Sequence, residues 1–454
     1  MPASMREDLL DYTSVLKLAL AFLHGRDKLK RLKLREGKKL VSMTFPLSDL
    51  AFAAGAVPVF PIRMHEFPES NIYRLVSVAT ATSGWGLFTG VLRAAQLLAP
   101  AKSFVEGVIN GIIENLNAKY NELARLAEGH GVASDYCYGI RGMSGMFVTK
   151  GKNVDLNLNY LIRCSGFSKY YENLERWTAG KQAWLDLPVF SRSERADPAF
   201  EERLLDYTRA QVEGAIEALE GVTGKSVTQH SLRRVAQATN EVRENVRYVM
   251  FQAGSGDRLP CRPHAFSEIL ILLIYAFIDC CSDLDQFVKL TRELKSETAR
   301  RLTSSRAVDA SGLKRVLYVP VFGGYEPEVP TFVYENGGVC FMADWDSWNF
   351  LTPVQTHGDM VENYARQYLD VQESVGCDWG EMVRSYARTA EKLRPDGVLF
   401  NQVFGCTSMS VGFPEFKQYF QEKLGLPVTL LNFNAIGENL EQTRTRVQAF
   451  MEML

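Results

Sequence analysis

No C-x-x-C pair occurs in these 454 residues, which removes the zinc knuckle and the zinc ribbon from consideration. The six histidines show neither H-x-x-x-H nor H-E-x-x-H spacing, so histidine-based zinc catalysis is disfavoured. No G-x-S-x-G is present to build a serine-hydrolase elbow. The nearest approach to a phosphate loop is TGKSVT at residues 223–228. It has Leu219 where the motif needs glycine, and it follows a helical pattern rather than a strand. It reads as a connection between helices. GWGLFTG at residues 84–90 misses the dinucleotide fingerprint by one residue, and Glu106 is only loosely available for a ribose.

An excess of one charge is also missing. The chain has 51 basic and 53 acidic side chains, a net charge of −2. That balance offers no electrostatic argument for nucleic acid or an anionic membrane. Long hydrophobic runs are absent too. The longest strongly apolar run, residues 269–278, is too short to span a bilayer. Residues 76–91 lack charge but are rich in Gly, Ser and Thr, and both stretches read as buried. At the N-terminus, MPASMREDLLDYTSVLKLALAFLHGRDK places acidic residues before its apolar stretch and no small-residue cleavage site after it. It reads as an amphipathic helix, not a signal peptide. Eight cysteines in such a chain are no disulfide framework. The expected compartment is the reducing cytoplasm, where cysteines serve as core residues, catalysts or metal ligands.

What is present is a repeated α/β pattern. Residues 38–45 read as a strand, LSDLAFAAG as a helix ending in Gly55, and residues 56–62 as a second strand. Near the other end, residues 314–322 read as a strand. A helix ending at Gly337 and Gly338 follows, then a strand over residues 339–344. Glycine at a helix C-cap followed by an apolar strand has a mechanical reason, because only glycine closes the turn without strain. The likeness continues as strand–cysteine–helix–strand. VDLNLNYLIRC leads to YYENLERW and QAWLDLPVF, and DGVLFNQVFGC leads to FPEFKQYFQEKLG and LPVTLLNF.

Alternation of strand and helix predicts two similar doubly wound α/β domains with mainly parallel sheets. Between them the periodicity is helical, from EERLLDYTRAQVEGAIEALEGVTG to the run ending near Arg301. The predicted organisation is a helical segment over 1–37, α/β over 38–195, helical over 196–312 and α/β over 313–454. SSRAVDASG at residues 304–312 reads as a linker.

Cys164 and Cys406 close the two equivalent strands, at the end where open α/β sheets bind ligands. Cys137 lies in a Gly-containing loop 27 residues before Cys164. Soft thiolates gathered in one chain suggest zinc or an iron–sulfur cluster, and buried apolar thiols are the plainer alternative. Cys280 and Cys281 are adjacent on an apparent helix, where neighbours face apart, so they read as core. Cys261 sits in a Pro-flanked loop, Cys340 within a strand, and Cys377 in a loop as a weak ligand candidate.

These segments resemble the large subunits of the 2-hydroxyacyl-CoA dehydratase and benzoyl-CoA reductase family. LSDLAFAAGAVPV is similar to the family segment P-E-E-L-I-Y-A-A-G-A-x-P-V. CYGIRG, LIRCSGFSKYYENL and DGVLFNQVFGC resemble its three cysteine segments. GGVCFMADWDSWNF and the ending LEQTRTRVQAFMEML resemble two further family blocks. The likeness runs from about residue 38 to 454 and is poor over 68–131.

The resemblance implies a [4Fe–4S] cluster on Cys137, Cys164 and Cys406. It also implies a separate ATP-dependent iron–sulfur activator that delivers one low-potential electron. A CoA thioester is then dehydrated or, in the reductase branch, reduced. It further implies a dimer with a related sister subunit or a second copy. The family's paired glutamates correspond here to Ser48 and Asp49, which makes Asp49 the nearest acid/base candidate and Ser48 its neighbour at the site. Ser165 and Thr407, directly after two ligands, could donate to cluster sulfurs. Two alternatives stay open: a double-cubane [8Fe–9S] reductase of small molecules, and a non-catalytic electron-relay subunit.

Overall fold

The computed structural model describes residues 12–23, 25–45, 48–64, 118–161, 164–320, 324–342, 344–406, 408 and 412–454. Residues 76–91, the GWGLFTG segment and Thr407 lie outside that set, and the side chain of Cys377 is likewise not described.

In chain order, helices α1 (Thr13–Leu23) and α2 (Gly25–Leu34) precede β1 (Leu40–Ser42), α3 (Ser48–Ala53) and β2 (Val57–Val59). Helix α4 covers residues 118–129. It leads to α5 (Tyr138–Lys150), β3 (Leu156–Leu161), α6 (Ser165–Trp177) and β4 (Lys181–Asp186). The middle of the chain is α7 (Pro198–Thr223), α8 (Gln229–Arg247), β5 (Arg258–Leu259), α9 (Pro263–Asp279), α10 (Leu284–Leu302) and β6 (Val308–Asp309). Then come β7 (Lys314–Val319), α11 (Val329–Glu335), β8 (Gly338–Phe341), α12 (Met360–Gln372) and α13 (Trp379–Leu393). The chain closes with β9 (Gly397–Val403), α14 (Phe413–Leu424), β10 (Val428–Phe433) and α15 (Leu440–Met453).

The two four-stranded sheets share one topology, β2-β1-β3-β4 and β8-β7-β9-β10. Every pairing in them is parallel. The predicted pair of doubly wound parallel sheets is therefore what the chain builds. Each sheet reverses strand order between its first and third strands. Ligands of open α/β sheets bind at that switch point, outside the carboxyl ends of the strands.

The glycine signals do what the sequence asked of them. Gly55, Gly224, Gly337 and Gly425 all have positive φ at helix ends. Gly224 caps α7, so TGKSVT is a turn into α8, whose N-cap is Thr228. Two differences stand out. Residues 304–312 are not a bare linker, because Val308–Asp309 pairs antiparallel with Arg258–Leu259. The helical run through Cys280 also breaks. Cys280, Cys281 and Ser282 have φ of 47°, 51° and 60°, a left-handed turn without glycine.

Each such residue costs about 1–2 kcal/mol. Buried bonds hold the turn. Arg63 pairs with Asp279 at 2.7 Å, both side chains fully buried, and Ser282 donates to Pro58 O at 2.8 Å. Both cysteines are buried, as core residues should be. The stretch Pro263–Ser282 is long and apolar enough to cross a membrane, and 78% of it is buried inside the protein.

Candidate functional site

Cys137 is the N-cap of α5 and Cys164 the N-cap of α6. Each of these cysteines therefore stands at the N-terminal end of a helix. Cys137 is not in an open loop; it stands at the N-cap of α5 without a side-chain capping bond. Cys406 follows a turn at the carboxyl end of β9, in the second sheet.

The structure brings the three thiols together. A side chain on Gly166 would meet Ile140 at 3.5 Å and the Cys164 sulfur at 3.6 Å, so Cys164 lies against the first turn of α5. From the other side, Gly405 presses on the chain just before Cys137. A Cβ there would lie 2.1 Å from Asp135 O and 2.9 Å from Cys137 N. Gly405 has φ of +75°, so glycine alone meets both the conformation and the space. Burial pushes the Cys137 thiol up to about 12, and negative charge on Cys406 and then Cys164 adds to the rise. Ligation of such thiols to a metal must release protons.

Cys137 and Cys164 are buried, while Cys406 is partly exposed. Its sulfur lies 3.7 Å from the Ser408 hydroxyl. Ser408 escaped the sequence reading, which looked only at the residue directly after each ligand. Three converging thiols are the donor chemistry of a soft metal centre. Among the described residues no group of three or more His, Cys, Asp and Glu side chains is arranged to hold a metal ion. Cys261, Cys280, Cys281 and Cys340 are buried elsewhere in the core, Cys340 within β8 as predicted.

Ser48 and Asp49 begin α3, beyond the carboxyl end of β1. That strand pairs with β3, so both segments leave the same edge of the first sheet as Cys164. Aromatic packing links them, with Phe45 and Phe167 rings 5.2 Å apart, and the Thr44 hydroxyl bonds to Tyr171. The Asp49 carboxylate is enclosed. It accepts from Thr239 at 2.7 Å and Tyr364 at 3.0 Å, and pairs with Arg243 at 3.5 Å. Its partners come from α8 and α12, so Asp49 ties the first sheet to the middle helices and the second sheet's flank. The Ser48 hydroxyl lies 3.9 Å from the Cys280 sulfur.

An open cavity of about 390 Å³ lies between α4, the first turn of α5 and the loop after β10. A far smaller one, about 20 Å³, is enclosed by Tyr275, Tyr325, Trp345 and Asp344 near the carboxyl ends of β7 and β8. Burial raises the Asp344 carboxyl to about 7, opposed by a 2.9 Å bond from Tyr386.

Comparison with known proteins places these features in a family. The model for the D-component of 2-hydroxyglutaryl-CoA dehydratase matches residues 48–454. The chain is also 22% identical over 381 residues to the (R)-phenyllactyl-CoA dehydratase beta subunit of Clostridium sporogenes. That alignment covers 82% of this chain and 85% of the relative.

Proposed function

Because the chain belongs to the 2-hydroxyglutaryl-CoA dehydratase D-component family, we propose that it is the iron–sulfur subunit of an ATP-activated dehydratase. The substrate in this reading is a 2-hydroxyacyl-CoA thioester, which loses water to give the 2-enoyl thioester. The observation that carries it is the convergence of Cys137, Cys164 and Cys406 where the two sheets meet. These three would hold a [4Fe–4S] cluster. When bound, such a cluster supplies low-potential electron transfer and an iron open to a substrate oxygen.

The chain's own residues prepare that site. Cys137 and Cys164 stand at the N-terminal ends of α5 and α6. Burial of both keeps water from the sulfurs, and Ser408 can donate to Cys406. Gly405 lets the second sheet deliver its cysteine to the first. The absence of a phosphate loop in the sequence fits a separate ATP-dependent activator as electron donor. A sister chain completes the dimer, as the beta-subunit relative suggests. A reducing cytoplasm suits the thiols. The scattered burial of the other described cysteines favours one cubane over the double-cubane alternative.

One observation favours a second reading, an electron-relay subunit beside a catalytic sister. The Asp49 carboxylate is committed to Arg243, Thr239 and Tyr364 instead of being free for acid/base work.

A single experiment separates the readings. Anaerobic protein is mixed with reduced activator, ATP and phenyllactyl-CoA, with and without a sister chain. Enoyl-CoA formed by the chain alone, and lost in Cys137→Ser, supports the catalytic reading. Enoyl-CoA formed only with the sister supports the relay. Undiminished turnover in the Cys137→Ser, Cys164→Ser and Cys406→Ser variants would contradict both.

A further inference from the structure

The cavity of about 20 Å³ between α9 and the carboxyl ends of β7 and β8 has room for one water. Its walls are largely apolar, with Ile271, Ile274, Met342 and Trp345 among them. Asp344 and Tyr275 add polar groups to the lining. Asp344 is 6% exposed, and the bond its carboxylate accepts among the described residues comes from Tyr386 at 2.9 Å. The Tyr275 hydroxyl makes no hydrogen bond among the described residues. A buried water needs about two to four polar partners. A carboxylate oxygen and a phenol hydroxyl, both without a bond on this wall, meet that need.

Among the described residues no basic side chain pairs with Asp344. Arg247 and Lys392 pair instead with Asp346, at 3.7 and 2.6 Å. The groups that face Asp344 are phenols: Tyr275 from α9, Tyr318 from β7 and Tyr386 from α13. Burial raises the carboxyl to about 7, so the same group can both give and accept a proton at neutral pH.

This acid shares an edge of the second sheet with the thiols. Asp344 follows the carboxyl end of β8 and Cys406 that of β9, and β7 lies between the two strands. Two strand spacings are about 10 Å. Tyr275 extends the link to the first sheet. It stands close enough to Tyr138 and Tyr120 for its charge to push both hydroxyls up, and Tyr138 directly follows Cys137. Asp49, in contrast, is committed to Arg243, Thr239 and Tyr364.

We propose that Asp344 is the proton-holding group of the thiol site, acting through one water held between it and Tyr275. Its role rests on the thioester reading above. In dehydration the C–O and C–H bonds break and a C=C bond forms. One proton joins the departing hydroxyl and one leaves the neighbouring carbon. Asp344 gives the first as an acid and recovers the second as a carboxylate, so no proton or electron is consumed overall.

Two measurements on the anaerobic full chain test this. Infrared difference spectra across pH, in light and heavy water, follow the protonated carboxyl. A band titrating at about 7 is expected, absent from Asp344→Asn and moved to higher pH in Tyr275→Phe, which takes a partner from the water. Turnover of phenyllactyl-CoA with reduced activator and ATP, and with the sister chain where it is required, is the second. Asp344→Asn should lower kcat by about a hundredfold and abolish its pH dependence near neutrality, with iron content unchanged. A wild-type chain without the band overturns the inference, and so does undiminished turnover in Asp344→Asn. A chain that shows the band, its shift in Tyr275→Phe, and no enoyl-CoA keeps the proton site and removes the thioester reading. A chain that turns over without the band does the reverse.

Discussion

Gly405→Ala strikes the contact that joins the two sheets at the thiols. With φ of +75°, Gly405 is in the left-handed region, where a Cβ costs about 1–2 kcal/mol. The new methyl would also lie 2.1 Å from Asp135 O and 2.8 Å from the Tyr136 carbonyl carbon. Both are backbone atoms, so no rotamer change relieves the clash. Overpacking of this kind adds about 1–3 kcal/mol, for a total loss of about 2–5 kcal/mol. Gly37→Ala is the control. Gly37 has φ of +62° and nothing within 4 Å, so it carries the conformational cost alone. Urea denaturation under anaerobic conditions, followed by circular dichroism, compares both variants with the wild-type chain. Gly405→Ala should shift the midpoint further than Gly37→Ala and take up less iron. Equal shifts together with full iron uptake would refute the idea that this close approach positions Cys406 beside Cys137.

Three further outcomes follow from polar groups in the core and at the thiol site. Asp49→Ala strands the Arg243 guanidinium, only 2% exposed, and should cost about 3–5 kcal/mol in urea denaturation, part of it recovered by adding Arg243→Met. A loss no larger than that of a surface substitution would count against the enclosed network. Asp344 titrates at about 7 in the folded chain and near 4 when unfolded, so the native state binds the extra proton. Its contribution to stability is thus full below about pH 4 and is lost as pH rises toward and through about 7. Asp344→Asn should flatten that fall in midpoint, and an unchanged pH profile would rule the effect out. Ser408→Ala removes a donor to Cys406, so a redox titration followed by electron paramagnetic resonance should give a lower midpoint potential; no shift would mean the hydroxyl does not donate.

The sheets were legible because their signals are local. β9 reads as an apolar run that needs no partner to be recognised, and Gly425 marks the end of α14 within the same stretch of chain. The repeat of strand, cysteine, helix and strand likewise showed where Cys164 and Cys406 would emerge. What escaped depends on distant chain. Asp49 stood out by position, yet its partners Thr239 and Tyr364 lie 190 and 315 residues away, and no spacing rule connects them. The left-handed turn at Cys280–Ser282 contains no glycine. Its conformation is imposed by Arg63 and Asp279, a buried pair brought together only when β2 packs against the end of α9. Arg141 entered only as part of the CYGIRG segment and Arg125 carried no motif, because the cavity they line exists only where the loop after β10 reaches α5.

Iron and acid-labile sulfide per chain, measured on anaerobically purified protein with Mössbauer spectra, test the central claim most directly. About four irons with matching sulfide are expected in the wild-type chain, falling sharply in Cys137→Ser, Cys164→Ser and Cys406→Ser but not in Cys340→Ser. An iron-free wild-type chain would contradict the account, if Cys137, Cys164 and Cys406 all remain reactive as free thiols after reconstitution.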